Sequence, residues 1–228
     1  MRYLSRVAAV TLTLLFSVPA FTTAQAPSPE LNRAQQLVFV ENHLQNVPKG
    51  SNLTYDFNSQ TEGVESYSDT VRITVTEVLA DDRRNLEFNF LNGSHHIDFS
   101  PAMGYSGNPV IIHFLERDIS QMARETGGWS GYFRNRIRDA FSRPVSVRDV
   151  KIAFQGRDMD GVEVIVEPFA SDPNIRNFEA YANKRYEFTF STQVPGGVYR
   201  IHTRVPGEDG VGVFIDETLT FNQLTPKT

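Results

Sequence analysis

Short runs in which apolar and polar residues alternate recur in two blocks of this sequence, and this pattern constrains the fold more strongly than any other. In the first block the runs cover residues 53–57, 71–79 and 86–91. Because successive side chains of a strand point to opposite faces, each run predicts a strand with one apolar and one wet face. Asn92-Gly93 is a strong turn signal and predicts a hairpin into a fourth strand over residues 95–99. The first block therefore predicts an antiparallel meander.

The second block predicts about five further strands. Residues 145–154 and 162–166 flank a turn-rich connection at residues 157–161, and we expect the two runs to pair. The runs 186–190, 198–205 and 211–221 follow, separated by segments rich in proline and glycine. They predict a three-stranded meander that completes the block.

Three amphipathic segments predict helices. The first is predicted to begin at Ser28-Pro29 and to end before Pro48. Between the two blocks, Asn108-Pro109 opens an apolar stripe at helical spacing, which Gly127-Gly128 ends. A second stripe follows at once and stops at Arg143-Pro144. A two-glycine break between such helices predicts an antiparallel helix hairpin over about residues 109–143.

Residues 1–24 have the pattern of a secretory signal peptide. Arg2 and Arg6 precede an apolar stretch over residues 7–18, and small residues precede Gln25, where cleavage is predicted. Residues 25–228 then form a single mature β-rich domain, because about 200 residues fit one hydrophobic core.

The composition limits the cellular compartments and the classes of binding partner that the sequence predicts. The chain has no cysteine, which disfavours a disulfide-stabilised secreted domain and leaves no site for a lipid anchor after the signal peptide. No second apolar run approaches the roughly 18 residues that span a bilayer, so no transmembrane segment is predicted in the mature chain. A formal charge of −5 argues against a nucleic-acid partner. Together these features predict a periplasmic protein.

The chemical candidates do not predict an active site. His95, His96 and Asp98 lack the spacing of a metal site, and no serine lies in a G-x-S-x-G motif. Four carboxylates on predicted strands are interpreted as outward-facing residues, namely Glu163, Glu167, Asp216 and Glu217. No catalytic residue, metal or cofactor is predicted, and a binding function is favoured over an enzyme.

Two charges lie within the apolar stripes of the central helices, Asp118 in the first and Arg136 in the second. Each is nine residues from Gly127, so an antiparallel hairpin is expected to bring them to the same level. The sequence therefore predicts a shielded structural ion pair between them, with an anion site as the alternative. A local pair between Arg136 and Asp139 would leave Asp118 unmatched, which is costly.

The order of the elements resembles that of the periplasmic lipoprotein carriers of the LolA/LolB type. The resemblance rests on the signal peptide, on the N-terminal helix before Leu53-Thr-Tyr-Asp-Phe57, and on the mid-chain helices. The segments 107–118, 126–128 and 132–136 are also similar to uncharacterised exported proteins of proteobacteria. The first resemblance implies an α+β fold, in which a curved antiparallel sheet forms a half-barrel or open barrel with an N-terminal helix and a two-helix insertion. It also implies a lipid or lipoprotein ligand.

The predicted function is that of an exported binding or carrier module for an apolar or acyl-bearing ligand of the cell envelope. Two alternatives stay open: a protein-interaction module that uses a sheet edge or the arginine-rich helix to hold an envelope partner, and an unrecognised envelope hydrolase. Ordinary core packing explains the candidate wall residues equally well. Those candidates are the aromatic residues of the strand runs, namely Phe88, Phe90, Phe188, Phe190, Tyr199 and Phe214.

Overall fold

Nine antiparallel strands form one curved, unclosed sheet. The strands are β1 Ser51–Thr61, β2 Tyr67–Val78, β3 Arg84–Phe90, β4 Ala102–Tyr105, β5 Ser146–Phe154, β6 Arg157–Val166, β7 Arg185–Phe190, β8 Val198–Pro206 and β9 Val213–Pro226. Their order across the sheet is β4-β3-β2-β1-β9-β8-β7-β6-β5. Two sequential meanders are therefore joined at the centre, where the first and last strands pair and Tyr55 lies opposite Phe221.

The computed structural model describes residues 30–207 and 212–226. The predicted signal peptide, the cleavage point at Gln25 and the predicted helix start at Ser28 lie outside the described residues. Residues Leu31–Thr228 form the compact unit discussed below. Within the described ranges, no helix has the length and apolar character needed to cross a bilayer.

Three helices accompany the sheet. Helix α1 is a short turn, Arg33–Gln35, that continues as a π-helix over Gln36–Val40. Helix α2 spans Val110–Thr126 and helix α3 spans Ser130–Phe141. Gly127 ends α2 in the left-handed conformation (φ 65°), which glycine adopts without steric cost.

The helix pair packs against the apolar face of the sheet. Phe114 of α2 lies 6.5 Å from Phe57 of β1, and Phe141 of α3 lies 5.9 Å from Phe188 of β7, measured between ring centroids. Alternating residues of the strands supply the other side of this core, because every second side chain is buried over residues 51–59 of β1, 71–75 of β2 and 201–205 of β8. Side chains thus fill the interior of the curved sheet under the helices.

The predicted fold class is confirmed: the chain is α+β, with a curved antiparallel sheet, an N-terminal helix and a two-helix insertion. The predicted fourth strand at residues 95–99 is wrong, since β4 lies at Ala102–Tyr105. The reason lies at Asn92, whose backbone N–H and side chain both donate to Asp69 at the start of β2. These bonds hold the chain in a 3₁₀ turn over Gly93–His95, so the predicted hairpin is reduced to one antiparallel bridge between Phe90 and Ile97.

Two other boundaries also differ from the predictions. The predicted turn at residues 157–161 belongs to β6, because the tight turn falls at Gln155-Gly156, where both residues have positive φ angles (49° and 75°). Within the described residues, the N-terminal helix ends at Val40 rather than near Pro48. The His43 ring reaches back to the carbonyl oxygen of Leu37 and takes the place of a helical hydrogen bond there.

Candidate functional site

A half-open cavity of about 580 Å³ lies at one end of the β-sheet. Its walls come from four parts of the chain: the segment that follows α1, the β5–β6 hairpin, the end of β7 with the connection to β8, and the end of β9. Its apolar lining consists of Leu37, Val162, Phe190, Val194, Pro195 and Leu224. Polar side chains of the first three parts complete the lining.

The β7–β8 connection is a compact turn that glycine makes possible. Gly196 and Gly197 have φ angles of 78° and 70°, a region that other residues rarely adopt. A Cβ atom on Gly197 would lie 2.4 Å from the Nδ1 atom of His43, so the backbone can approach the histidine ring only without a side chain. The carbonyl oxygen of Gly196 accepts a 2.7 Å hydrogen bond from the Asn108 amide, which fixes the turn to the start of α2.

His43 forms one wall together with Phe190. The two rings are stacked, with centroids 5.2 Å apart and planes within 10° of each other. The Nε2 atom lies 2.6 Å from the carbonyl oxygen of Leu37, so Nε2 carries the proton and donates. Burial lowers the pKa of His43, although this hydrogen bond and nearby Glu41 act in the opposite direction. The ring is therefore neutral at neutral pH.

Phe190 is the one predicted wall residue that lines this cavity. Phe88 and Phe90 lie beside the His113 ring instead, at centroid distances of 4.4 and 6.4 Å. Phe188 is fully buried against Phe141. Ligand binding by these aromatic residues stays a prediction.

Tyr199 and Phe214, the other two predicted wall residues, also lie elsewhere. Tyr199 packs edge-on against Phe154, and its hydroxyl donates to the carbonyl oxygen of Ala153. Phe214 packs edge-on against Tyr181, with ring centroids 6.3 Å apart. Both contacts are ordinary side-chain packing, the alternative explanation of these residues.

The predicted ion pair between Asp118 and Arg136 is wrong. Asp118 accepts a 2.8 Å hydrogen bond from Lys184 and another from the Tyr186 hydroxyl, so its partners lie on the sheet. The Arg136 Nε atom lies 2.9 Å from a carboxylate oxygen of Asp172, in the connection between β6 and β7. Equal spacing from Gly127 therefore did not identify partners.

The ion pair that does cross the helix hairpin involves Glu116 and Arg134. The Arg134 guanidinium donates twice to Glu116, at 2.8 and 2.6 Å, and both side chains are partly exposed. This pair lies two residues earlier on each helix than Asp118 and Arg136. Within the described residues, Asp118 has no partner on α3 and is paired instead with Lys184, next to β7.

A second buried ion pair joins α2 to the last strand. Arg117 donates to both carboxylate oxygens of Glu217, at 2.7 and 2.9 Å, and Ser59 donates to the same carboxylate at 2.8 Å. Glu217 is 1% exposed and shares the inward-facing side of β9 with Leu219, so its interpretation as an outward-facing residue is wrong. Glu163 is 5% exposed, but it lies on the face of β6 opposite to the core residue Val164, where Arg148 pairs with it. Neither buried pair lines the cavity.

A signal for Lys184 and Glu217 is present in the sequence. Lys184 has the same parity as the inward-facing Tyr186 and Phe188, and Glu217 has the same parity as the inward-facing Leu219. Each residue lies two positions before a buried strand residue, so the alternation of the strand predicts that both charges face the core.

The histidines near the first meander take part in aromatic and backbone contacts. His95 stacks on Tyr67 at a centroid distance of 3.9 Å, and the His96 ring lies 3.0 Å from the carbonyl oxygen of Leu91. Among the described residues, no group of three or more histidine, aspartate and glutamate side chains could hold a metal ion.

No protein-family model matches the chain, and no curated protein matches it either. Among solved structures, the chain is similar to a LolA superfamily protein from Nitrosomonas europaea. The two are 8% identical, the comparison covers 86% of this chain and 94% of that one, and the TM-score is 0.27. A likeness at this level adds nothing to the assignment of function, which rests on the cavity.

Proposed function

We propose that this protein is a binding module of the cell envelope, exported to the periplasm, whose cavity takes the apolar part of an amphipathic ligand such as an acyl chain. The observation that carries the proposal is the half-open cavity of about 580 Å³ beside the stacked His43 and Phe190 rings. Small-molecule sites typically measure about 300–1,000 Å³ and combine apolar walls with a few polar groups.

The distribution of the lining residues supports an amphipathic ligand. Phe190 and Val194 are buried apolar residues, whereas Gln193 and Asp160 are exposed. An apolar chain against the first two would be removed from water, at a gain of about 25 cal/mol per Å² of apolar surface. The polar end of the ligand would stay at the opening.

A valine pair in the β5–β6 hairpin offers a matched test. Val162 lines the cavity and Val150 does not, and both are half-buried. We expect 1-octanol, a neutral amphiphile, to give saturable chemical-shift changes in the full mature chain at residues 190–197. Val162→Trp should weaken this binding about tenfold or more by occupying the space, while Val150→Trp should leave it unchanged. Unsaturable shifts, or equal effects of the two variants, would refute the proposal.

The interaction-module alternative has one observation in its favour. Leu31, Phe39 and Val40 are large apolar residues of the N-terminal segment that are 44%, 42% and 54% exposed. Arg33 in the same segment contacts Asp149 of the edge strand β5. A partner that adds a strand at β5 would cover these side chains. The Phe39→Ser variant should no longer bind this partner, whereas the Val162→Trp variant should still bind it.

A further inference from the structure

Among the described residues, the charged side chains that line the cavity are all acidic. They are Glu41 after α1, Asp149 on β5 and Asp160 on β6, and within residues 30–207 and 212–226 no lysine or arginine lines the cavity. His43 is the one other titratable group in the lining, and its ring is neutral at neutral pH. The opening of the cavity therefore presents negative charge to an approaching ligand.

Nearby cations offset this charge only in part. Arg33 lies 3.5 Å from Asp149, and Lys151 is paired with Asp160, but neither cation lines the cavity. Glu41 has no ion pair within the residues that the structure describes. Counted over the described residues, the three carboxylates and their two paired cations give a net charge of −3 + 2 = −1.

The exposed position of these carboxylates allows their negative charge to act on the headgroup of a ligand. The two paired carboxylates are highly exposed, with side-chain exposures of 86% for Asp149 and 81% for Asp160, so their ion pairs are weak and open to exchange. An ammonium group at the opening could contact a carboxylate while its alkyl chain lies against Phe190. A carboxylate or phosphate headgroup in the same position would be repelled by Glu41, and it would have to compete with Asp149 and Asp160 for Arg33 and Lys151.

We infer that the ligand of this cavity carries a cationic headgroup, of the alkylammonium or alkylguanidinium class, and that Glu41 and Asp160 select it over anionic amphiphiles. The inference rests on the proposed function, because it assigns the head of a ligand whose apolar part occupies the cavity. It excludes a free fatty acid as the preferred occupant.

Three probes with the same alkyl chain separate the headgroup from the chain. These are octyltrimethylammonium, 1-octanol and octanoate, each titrated below its micelle concentration into the full mature chain at pH 7.5 and low salt. We expect octyltrimethylammonium to bind at least about tenfold more tightly than octanoate, with 1-octanol between them. Raising the salt to 0.5 M should reduce the difference, because salt screens exposed charges.

The variants Glu41→Gln and Asp160→Asn test the assignment of the two carboxylates. Each should weaken octyltrimethylammonium about two- to fivefold and leave 1-octanol unchanged. The matched control is Asp158→Asn, which removes an acidic charge from β6 at a residue that does not line the cavity. It should change the affinity of none of the probes.

The outcomes distinguish the two proposals. If 1-octanol binds and Val162→Trp abolishes its binding, but octanoate binds as tightly as the ammonium probe, the headgroup inference is refuted and the cavity function stands. If 1-octanol does not bind saturably, the cavity function itself is refuted, whatever the charged probes do. Equal losses in Asp158→Asn and Asp160→Asn would show a general charge effect and would overturn the role of Asp160.

Discussion

Lys184 donates a hydrogen bond to Asp118 across 2.8 Å, and the two side chains are 0% and 2% exposed. The Lys184 ammonium also lies 5.4 Å from the ring centres of Tyr181 and Tyr186, where aromatic faces favour a cation. The pair joins α2 to the segment that begins β7. It fixes the position of the helix on the sheet more firmly than any exposed pair could.

Removing Lys184 should therefore be strongly destabilising. We expect Lys184→Met to lower the free energy of unfolding by about 3–5 kcal/mol, because Asp118 would be left as a buried charge without its cation. Urea denaturation followed by circular dichroism would measure the loss. Arg134→Ala is the control, since its pair with Glu116 is partly exposed and should contribute less than about 1 kcal/mol. If Lys184→Met does not fold, the double variant with Asp118→Leu should recover stability, and equal losses in the two single variants would contradict the prediction.

Acid should destabilise the protein through its buried histidines. Burial lowers the pKa of His113 from 6.5 to about 4, against a smaller opposing effect of Glu116. The unfolded chain then binds the proton more readily than the folded chain, so stability is full above pH 6.5 and falls as the pH drops from 6.5 toward 4. The lowered pKa of His43 acts in the same direction.

His113→Phe should reduce this pH dependence. The Nε2 atom of His113 is buried without a hydrogen-bond partner among the described residues, and the ring stacks on Phe99 at 4.0 Å. A phenylalanine ring fits that environment without an unsatisfied polar atom, so we expect a gain of about 1 kcal/mol at pH 5. Melting temperatures between pH 4.5 and 8 would check this. A variant that loses stability in acid as steeply as the unmodified protein would disprove the role of His113.

Substitutions at two glycines distinguish the cost of backbone strain from the cost of a side-chain collision. Gly156 and Gly197 have similar φ angles of 75° and 70°, but a Cβ atom meets nothing within 4 Å at Gly156, whereas it meets His43 at Gly197. Gly156→Ala should cost roughly 1–2 kcal/mol for the left-handed conformation alone. Gly197→Ala should cost more and should also weaken 1-octanol binding, because His43 must move. Equal thermal shifts with unchanged binding would show that the approach of His43 to Gly197 is unimportant.

Export can be tested directly by N-terminal sequencing. Periplasmic material from a Gram-negative host should begin at Gln25, because the small residues before it form the predicted cleavage site. Protein retained in the cytoplasm with Met1 intact would contradict both the signal peptide and the periplasmic assignment.

Local periodicity predicted most of the strands, because strands such as β1 bury alternate residues whichever strand they pair with. It could not predict that β1 pairs with β9, since that contact depends on residues such as Tyr55 and Phe221 that are far apart in the chain. The turn at Asn92 was mispredicted for a related reason, because its side chain bonds to Asp69, which local sequence does not reveal.

The candidate site was harder to predict than the fold. Five of the six aromatic residues predicted as a ligand wall contact other side chains, and Phe190 alone among them borders the cavity. The cavity is assembled from four parts of the chain, and its shape depends on a glycine turn and on the His43 ring. The periodicity of a single strand or helix does not predict which distant segments will contact one another in the folded protein.

The pairing of β1 with β9 also determines when the fold can be completed. Ser51 lies opposite Pro226, so the central contact of the sheet spans nearly the whole described chain. Contacts of this sequence separation make folding slow, because a large loop must close before they form. A nascent chain that lacks β9 would leave β1 and β8 as unpaired edges of two half-sheets. β9 is thus the strand that joins the two meanders, and the sheet would remain incomplete until residues 213–226 had been synthesised.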